Sequence, residues 1–246
     1  MVLKAKSHDT GKKQELIRLS LQACLIAKDA VRNLADALSN GSSMAILAVN
    51  DCEKELDEID QHIDEHIADA ILHASALEVR ELLACLKFTI DLERIGDLIH
   101  DIVVRLRART VLVPPPDLKD LVQMTVVLEQ MLDGTYAAYC ARDAESALSV
   151  LKRDADIDRL RNSVFLRHVG SGEKGTTTSI DVLMMTQSLE RAGDHAKNLA
   201  EEVCHLVEGH SLRHLLDRDK EDEEVSLTLA PKGRSPRIRT KAFRRP

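Results

Sequence analysis

Two nearly identical heptapeptides, DLERIGD at 91–97 and SLERAGD at 188–194, constrain this chain more than any other feature. Each sets a glycine inside a stretch of helical character, where glycine costs about 1 kcal/mol relative to alanine, and each frames it with acids. Glu93 aligns with Glu190 and Asp97 with Asp194 at an offset of 97 residues. Upstream, Leu56, Ile59 and Ile63 align with Ile157, Leu160 and Val164 at an offset of 101, with Asp57 on Asp158. The four-residue difference fits a shorter connection before the last helix. A helical unit duplicated in tandem explains the repetition.

Periodicity predicts helices near 12–39, 44–73 and 76–110, and again near 117–140, 142–168 and 177–208. Aromatic residues make up 2% of the chain and tryptophan is absent, a palette that starves strands and suits helices. Asn40-Gly41-Ser42 separates the first two helices, with Gly41 at the C-terminal position and Ser42 or Ser43 as the next cap. A weaker break falls at Ala74-Ser75, and VPPP at 113–116 is a firm stop after which Asp117 can cap. The predicted fold is all-α: two three-helix bundles side by side, 12–112 and 117–210, joined by a proline linker at 113–116. GSGEKGTTTS at 170–179 lacks the spacing and the leading strand of a phosphate-binding loop and reads as a turn. The segment 217–246 carries a run of acids followed by a run of Lys and Arg, which predicts a disordered charged tail.

The formal net charge of −7 argues against general nucleic-acid binding. Five cysteines (24, 52, 85, 140 and 204) lie far apart within apolar helical runs, so reduced, buried thiols are expected. No apolar run approaches a membrane span, and MVLKAKSHDTGKK has no signal-peptide core, so a cytoplasmic protein is expected.

At 100° per residue, Leu82, Leu83, Leu86 and Ile90 predict the bundle-facing stripe of helix three. Glu93, Asp97 and Asp101 continue that line, placing carboxylates where the pattern asks for leucine. Helix two supplies a matching line: Glu53, Asp57, Asp60 and Asp64, spaced four, three and four. Facing stripes of this kind repel; like charges about 4 Å apart cost roughly 4 kcal/mol at an effective dielectric near 20. Protons, a basic partner or a bound cation relieve the repulsion, and oxygen-only clusters suit hard cations. Arg94 and Arg191 point about 100° away from the neighbouring glutamates on a helical wheel. The second repeat offers Asp154 and Asp158 opposite Glu190, Asp194 and Asn198, with Arg161 and Phe165 replacing the counterparts of Asp60 and Asp64. It is therefore the poorer site in acid. Gly96 and Gly193 leave room for a helix backbone or an ion shell to approach. His100 and His195 flank the acids as weaker candidates.

DLERIGDLIHDIV (91–103) and SLERAGDHAKNLAEEV (188–203) resemble the two signature helices of the PhoU family of phosphate-uptake regulators. VNDCEKELDEIDQHIDEHI (49–67) and LKRDADIDRLRNSV (151–164) are similar to the helices that face them. The resemblance implies a cytoplasmic regulator, often a homodimer, that restrains a phosphate importer and the phosphate-starvation response. Its implied partners are the importer's ATPase subunit and a membrane sensor histidine kinase, so membrane contact is indirect, at the inner face. It also implies iron or related metal clusters at the two E/D-xxx-D motifs, here Glu93 with Asp97 and Glu190 with Asp194. Asp57, Asp60 and Asp64, or Asp154 and Asp158, would oppose them. Carboxylates alone leave divalent and trivalent metals open, with Fe, Mn, Mg, Ca and Zn all in play.

No nucleophile–base pair or cofactor loop is present in the sequence, so no catalytic residue is assigned and a non-enzyme is expected. Two other readings compete. A ferritin-like di-iron enzyme wants Glu-x-x-His on two helices, of which only Glu202-Val-Cys-His205 and an Asp97-x-x-His100 imitation occur. A metal-free scaffold would treat the same acids as solvated surface.

Overall fold

The first two interhelical breaks carry chemical stops and starts that are written in the sequence. The computed structural model describes residues 2–108, 113–170 and 177–209, and these are helical with no strand among them. The helices are α1 (Val2–Asn40), α2 (Ser43–Leu72), α3 (Ala76–Ala108), α4 (Pro115–Ala141), α5 (Ala144–Leu151), α6 (Asp154–Gly170) and α7 (Thr177–Glu208). Gly41 takes φ +64° and its N–H reaches the Ala37 carbonyl at 3.0 Å, closing α1 as the Asn-Gly pair predicts. Ser42 then caps α2, its Oγ accepting from the Ala45 N–H at 3.2 Å. Before α3, the Glu78 carboxylate accepts from the Ser75 N–H at 2.7 Å while the Glu78 N–H donates to Ser75 Oγ at 3.5 Å. That reciprocal capping box makes the weak Ala74-Ser75 break a firm one.

Three boundaries differ from the sequence reading. α1 begins at Val2 rather than near 12. α4 begins at Pro115 with Pro114 as its cap; Asp117 lies inside the first turn, buried, where Arg167 and His168 hold it at 2.9 and 3.0 Å. The helix predicted over 142–168 is two helices, because the chain tightens at Lys152-Arg153. There the Arg153 N–H bonds the Val150 carbonyl at 3.0 Å and the Asp156 N–H bonds Arg153 at 2.9 Å, both three residues back. Neither glycine nor proline marks this break. It turns α6 so that Ile157 and Val164 are buried in the second bundle. The last residues predicted for helix three, the centre of the 170–179 turn, and the 217–246 tail lie outside the described residues.

Helices α1, α2 and α3 pack on one another, as do α4 and α7 with α5 and α6, giving the two tandem bundles. The halves meet through α1 on α4 and α3 on α7, so equivalent helices of the duplication face each other. The Phe88 and Tyr139 rings sit 5.0 Å apart across this junction. At its edges Lys28 pairs with Asp133 at 2.8 Å, Arg32 with Glu129 at 2.8 Å and Lys87 with Glu202 at 2.9 Å.

The stripe predicted for α3 is rotated from the one observed. Leu82 is buried, but Leu83 and Ile90 are 43% and 46% exposed and Leu86 is half-buried. The buried residues are Leu82, Cys85, Phe88, Thr89, Leu92, Ile95, Gly96 and Ile99, among others. α3 touches α1, α2 and α7, so its buried arc is broad and the Leu83–Ile90 line falls at the rim. Glu93 and Asp97 therefore border solvent instead of extending a buried seam. The thiol expectation also divides: Cys24, Cys85 and Cys204 are buried, Cys52 is half-buried and Cys140 is exposed, all of them free. Burial pushes the Cys24 thiol up to about 12 and Cys85 up to about 11. Among the described residues, no helix is long and apolar enough to cross a membrane.

Candidate metal centre

The acid lines of α2 and α3 meet because the glycine of the heptapeptide is filled from across the bundle. A Cβ added at Gly96 would lie 2.6 Å from Leu56 Cδ1, and one at Gly193 would lie 2.7 Å from Ile157 Cδ1. Each glycine thus receives the apolar side chain of the facing helix, rather than a backbone or an ion shell as the sequence suggested. With Leu56 seated against Gly96, its neighbours Glu53 and Asp57 come level with Asp97. One carboxylate oxygen from each of Glu53, Asp57 and Asp97 lies within 4.8 Å of the others. Among the described residues, no other trio of His, Cys, Asp or Glu converges so closely.

The remaining acids of the first repeat surround this trio. Glu93 is held above the usual carboxylate range by partial burial and then by Asp97, with Arg94 opposing and Asp60 and Asp57 adding to the effect. Asp60 is raised for the same reasons: partial burial first, then Asp64 and Asp57, against Arg94. Asp64 is exposed and serves the cluster through its field. Arg94 does not point away, as the helical wheel implied. Its flexible stem folds back, placing Nε 3.4 Å from Glu93 Oε2 and Nη1 3.5 Å from Asp97 Oδ2. His100 Nδ1 stands 3.7 Å from Glu53 Oε1. Asp101 is exposed and lines a groove of about 320 Å³ with Arg94, Asp97, Leu98, His100 and Arg191.

In the second repeat Glu190 is raised by partial burial, then by Asp194, against Arg161, with Asp158 and Asp154 contributing further. Asp194, more open to solvent, is raised by partial dehydration, then by Asp154, against Lys197. Asp158 is exposed, and Asp154 is the first residue of α6. Asp154 accepts a 2.6 Å hydrogen bond from Lys197 Nζ, which holds the ammonium above its ordinary value. Asn198 faces another way: its amide donates to Asp91 Oδ1 at 3.4 Å across the α3–α7 junction. His195 joins it there, with Nδ1 2.7 Å from the same oxygen. Sequence reasoning missed Lys197 and the Glu53–His100 pair. The signal was available, because the repeat offsets of 101 and 97 place Asp154 on Glu53 and Lys197 on His100.

Three oxygen donors on two helices fit a hard or borderline cation and offer nothing that would select a soft one. Such a cation would add to the charge that Arg94 sets beside Glu93 and Asp97.

Comparison with known proteins agrees with this architecture. The PhoU domain model matches the chain twice, over residues 21–106 and 121–203. A phosphate-specific transport system accessory protein PhoU homolog from Xylella fastidiosa is 29% identical over 233 residues, covering 91% of this chain and 94% of that protein. The protein of the same description from Pseudomonas aeruginosa is 27% identical over 208 residues, covering 81% and 85%. The crystal structure of PhoU from Pseudomonas aeruginosa superposes with a TM-score of 0.71 at 24% identity, over 81% of this chain and 99% of that one. The phosphate transport system regulatory protein PhoU from Streptococcus pneumoniae superposes at 0.72 with 18% identity, over 82% and 98%. At such identities the two structures speak for the fold. The paired domain match, one per bundle and each containing one heptapeptide, shows that this chain belongs to the PhoU family.

Proposed function

We propose that the chain is a cytoplasmic, metal-binding regulator that restrains phosphate uptake. Family membership supports the phosphate role, and the relatives' descriptions name them accessory proteins of a phosphate-specific transport system. In this reading the chain acts by docking, as a homodimer, on the importer's ATPase subunit and on the membrane sensor kinase. It reaches the membrane through them, and it is not an enzyme.

The observation that carries the metal part is the convergence of Glu53, Asp57 and Asp97. Glu93 and Asp60 would complete or support the ligand set. A bound ion relieves the repulsion between α2 and α3 and ties the two helices together, so metal stiffens the first bundle. Iron, alone or in a multinuclear cluster, and manganese suit the oxygen donors, and magnesium, calcium or zinc would occupy the same atoms.

The test is elemental analysis of protein purified without chelator or metal-binding tag, with thermal melting beside it. Wild type is expected to retain metal and to melt higher with added Mn²⁺ or Fe²⁺. Asp57→Asn with Asp97→Asn should lose both properties while melting higher than wild type when both are metal-free. A wild type that carries no metal and does not respond to added ions would return these acids to plain surface chemistry.

A further inference from the structure

The two duplicated acid sites differ in what balances their charge. The repeat offsets superpose Asp154 on Glu53, Lys197 on His100, Arg161 on Asp60 and Phe165 on Asp64. The first two aligned positions also meet in space: His100 stands 3.7 Å from Glu53, and Lys197 stands 2.6 Å from Asp154. One location in the bundle therefore holds an imidazole in the first repeat and an ammonium in the second. We propose that Lys197 is the second repeat's own cation: its tethered ammonium occupies the place of a metal ion at Asp154, and metal binds in the first repeat alone.

The argument is one of charge, geometry and tethering, and it rests on the metal reading of the first repeat. Glu53, Asp57, Asp60, Asp64, Glu93 and Asp97 share Arg94 and His100, whereas Asp154, Asp158, Glu190 and Asp194 share Lys197 and Arg161. The second cluster holds fewer acids and more permanent cation, so it has less to gain from an ion. The trio matching Glu53, Asp57 and Asp97 is Asp154, Asp158 and Asp194, and it does not converge as the first trio does. A charged hydrogen bond of 2.6 Å to an aspartate that is 16% exposed is among the stronger ion pairs available to lysine. Being part of α7, the ammonium surrenders no translational freedom to sit there, while a metal ion must first displace it.

The experiment uses the full chain stripped by chelator, with Mn²⁺ as the probe. Binding is followed by loss of the free-ion paramagnetic signal, and melting temperature is the second readout. Six forms are compared: wild type, Asp57→Asn with Asp97→Asn, Asp154→Asn with Asp194→Asn, Lys197→Gln, Lys197→Arg, and the triple variant joining Lys197→Gln to Asp57→Asn and Asp97→Asn. Wild type is expected to bind Mn²⁺ in a single class that the first-repeat pair abolishes. Lys197→Gln should add a second class that survives in the triple variant, and Lys197→Arg, which keeps the charge, should not. Without metal, Lys197→Gln should melt lower by about 2–4 °C, and Mn²⁺ should restore it. Wild-type binding that survives Asp57→Asn/Asp97→Asn but is lost in Asp154→Asn/Asp194→Asn would move the metal to the second repeat and overturn both the proposal and the first-repeat metal reading. A Lys197→Gln form that gains no binding, while wild type keeps binding that Asp57→Asn/Asp97→Asn abolishes, would overturn the proposal and leave the first-repeat metal reading standing. Should no form bind Mn²⁺, the metal reading falls and, with it, the proposal that Lys197 stands in for a metal. Melting in chelator then reports only whether Lys197 stabilises the second bundle as an ordinary ion pair.

Discussion

Gly96 is buried with Leu56 filling the space where its side chain would be, and Leu56 itself is 1% exposed. Alanine at 96 gains about 1 kcal/mol of helix propensity but must displace a methyl group 2.6 Å away in a close-packed seam. Overpacking of this kind costs about 1–3 kcal/mol, so Gly96→Ala is expected to lose roughly 1 kcal/mol net. Urea unfolding measures it, and Leu56→Ala provides the control: with the methyl gone, Gly96→Ala should become neutral or stabilising. If Gly96→Ala stabilises the otherwise native chain, the glycine is not kept for packing. The need for a small residue at 96 and 193 was legible from the heptapeptides alone. Which atom exploits the space was not, because the register of α2 on α3 is a tertiary property that a single helix does not encode.

At the level of the element, α3 begins with a box that couples its cap to acid stability. Glu78 is pulled down to about 2 by its hydrogen bonds with the Ser75 side chain and backbone, and by Lys13 at 3.3 Å. A carboxylate depressed in the folded state adds stability that is fully present above its ordinary value of 4.5. That contribution disappears as pH falls toward about 2. Glu78→Gln should therefore destabilise the chain at neutral pH, and its deficit relative to wild type should shrink below pH 4.5. Chemical denaturation across that range checks it; a deficit independent of pH would assign the role to packing. The helical class and most helix ends followed from periodicity, Gly41 and the prolines. The division of the fifth predicted helix did not, since Lys152 and Arg153 are ordinary helix formers and the bend serves contacts made elsewhere. The acids of the site were likewise visible as stripes, but α3's stripe was assigned to the wrong face. Leu83 and Ile90 look like core residues in sequence and lie at a rim only because α7 claims the adjoining arc.

At the scale of the molecule, the halves are bound by more than the linker. Cys24 Sγ lies 3.8 Å from the Leu132 carbonyl, Phe88 meets Tyr139, and Asp91 receives His195 and Asn198, all across the junction. Residues 12–112 made alone would expose the α1 and α3 faces that now pack on α4 and α7. That fragment is expected to self-associate or to lose helicity, and to recover a monomeric half's behaviour only when residues 117–210 are supplied. Size exclusion and circular dichroism on the separate and mixed fragments would show it. A first half that is monomeric and fully helical by itself would mean the junction is dispensable.

The pairing of α1 with α4 and of α3 with α7 has a historical consequence. An interface in which each element meets its own counterpart is the kind a symmetric pair of identical chains builds, where every residue change is made twice. Covalent linkage ends that obligation. One position of the ancestral unit can become His100 on one side and Lys197 on the other, and a matched pair of sites is then free to become a site and its replacement.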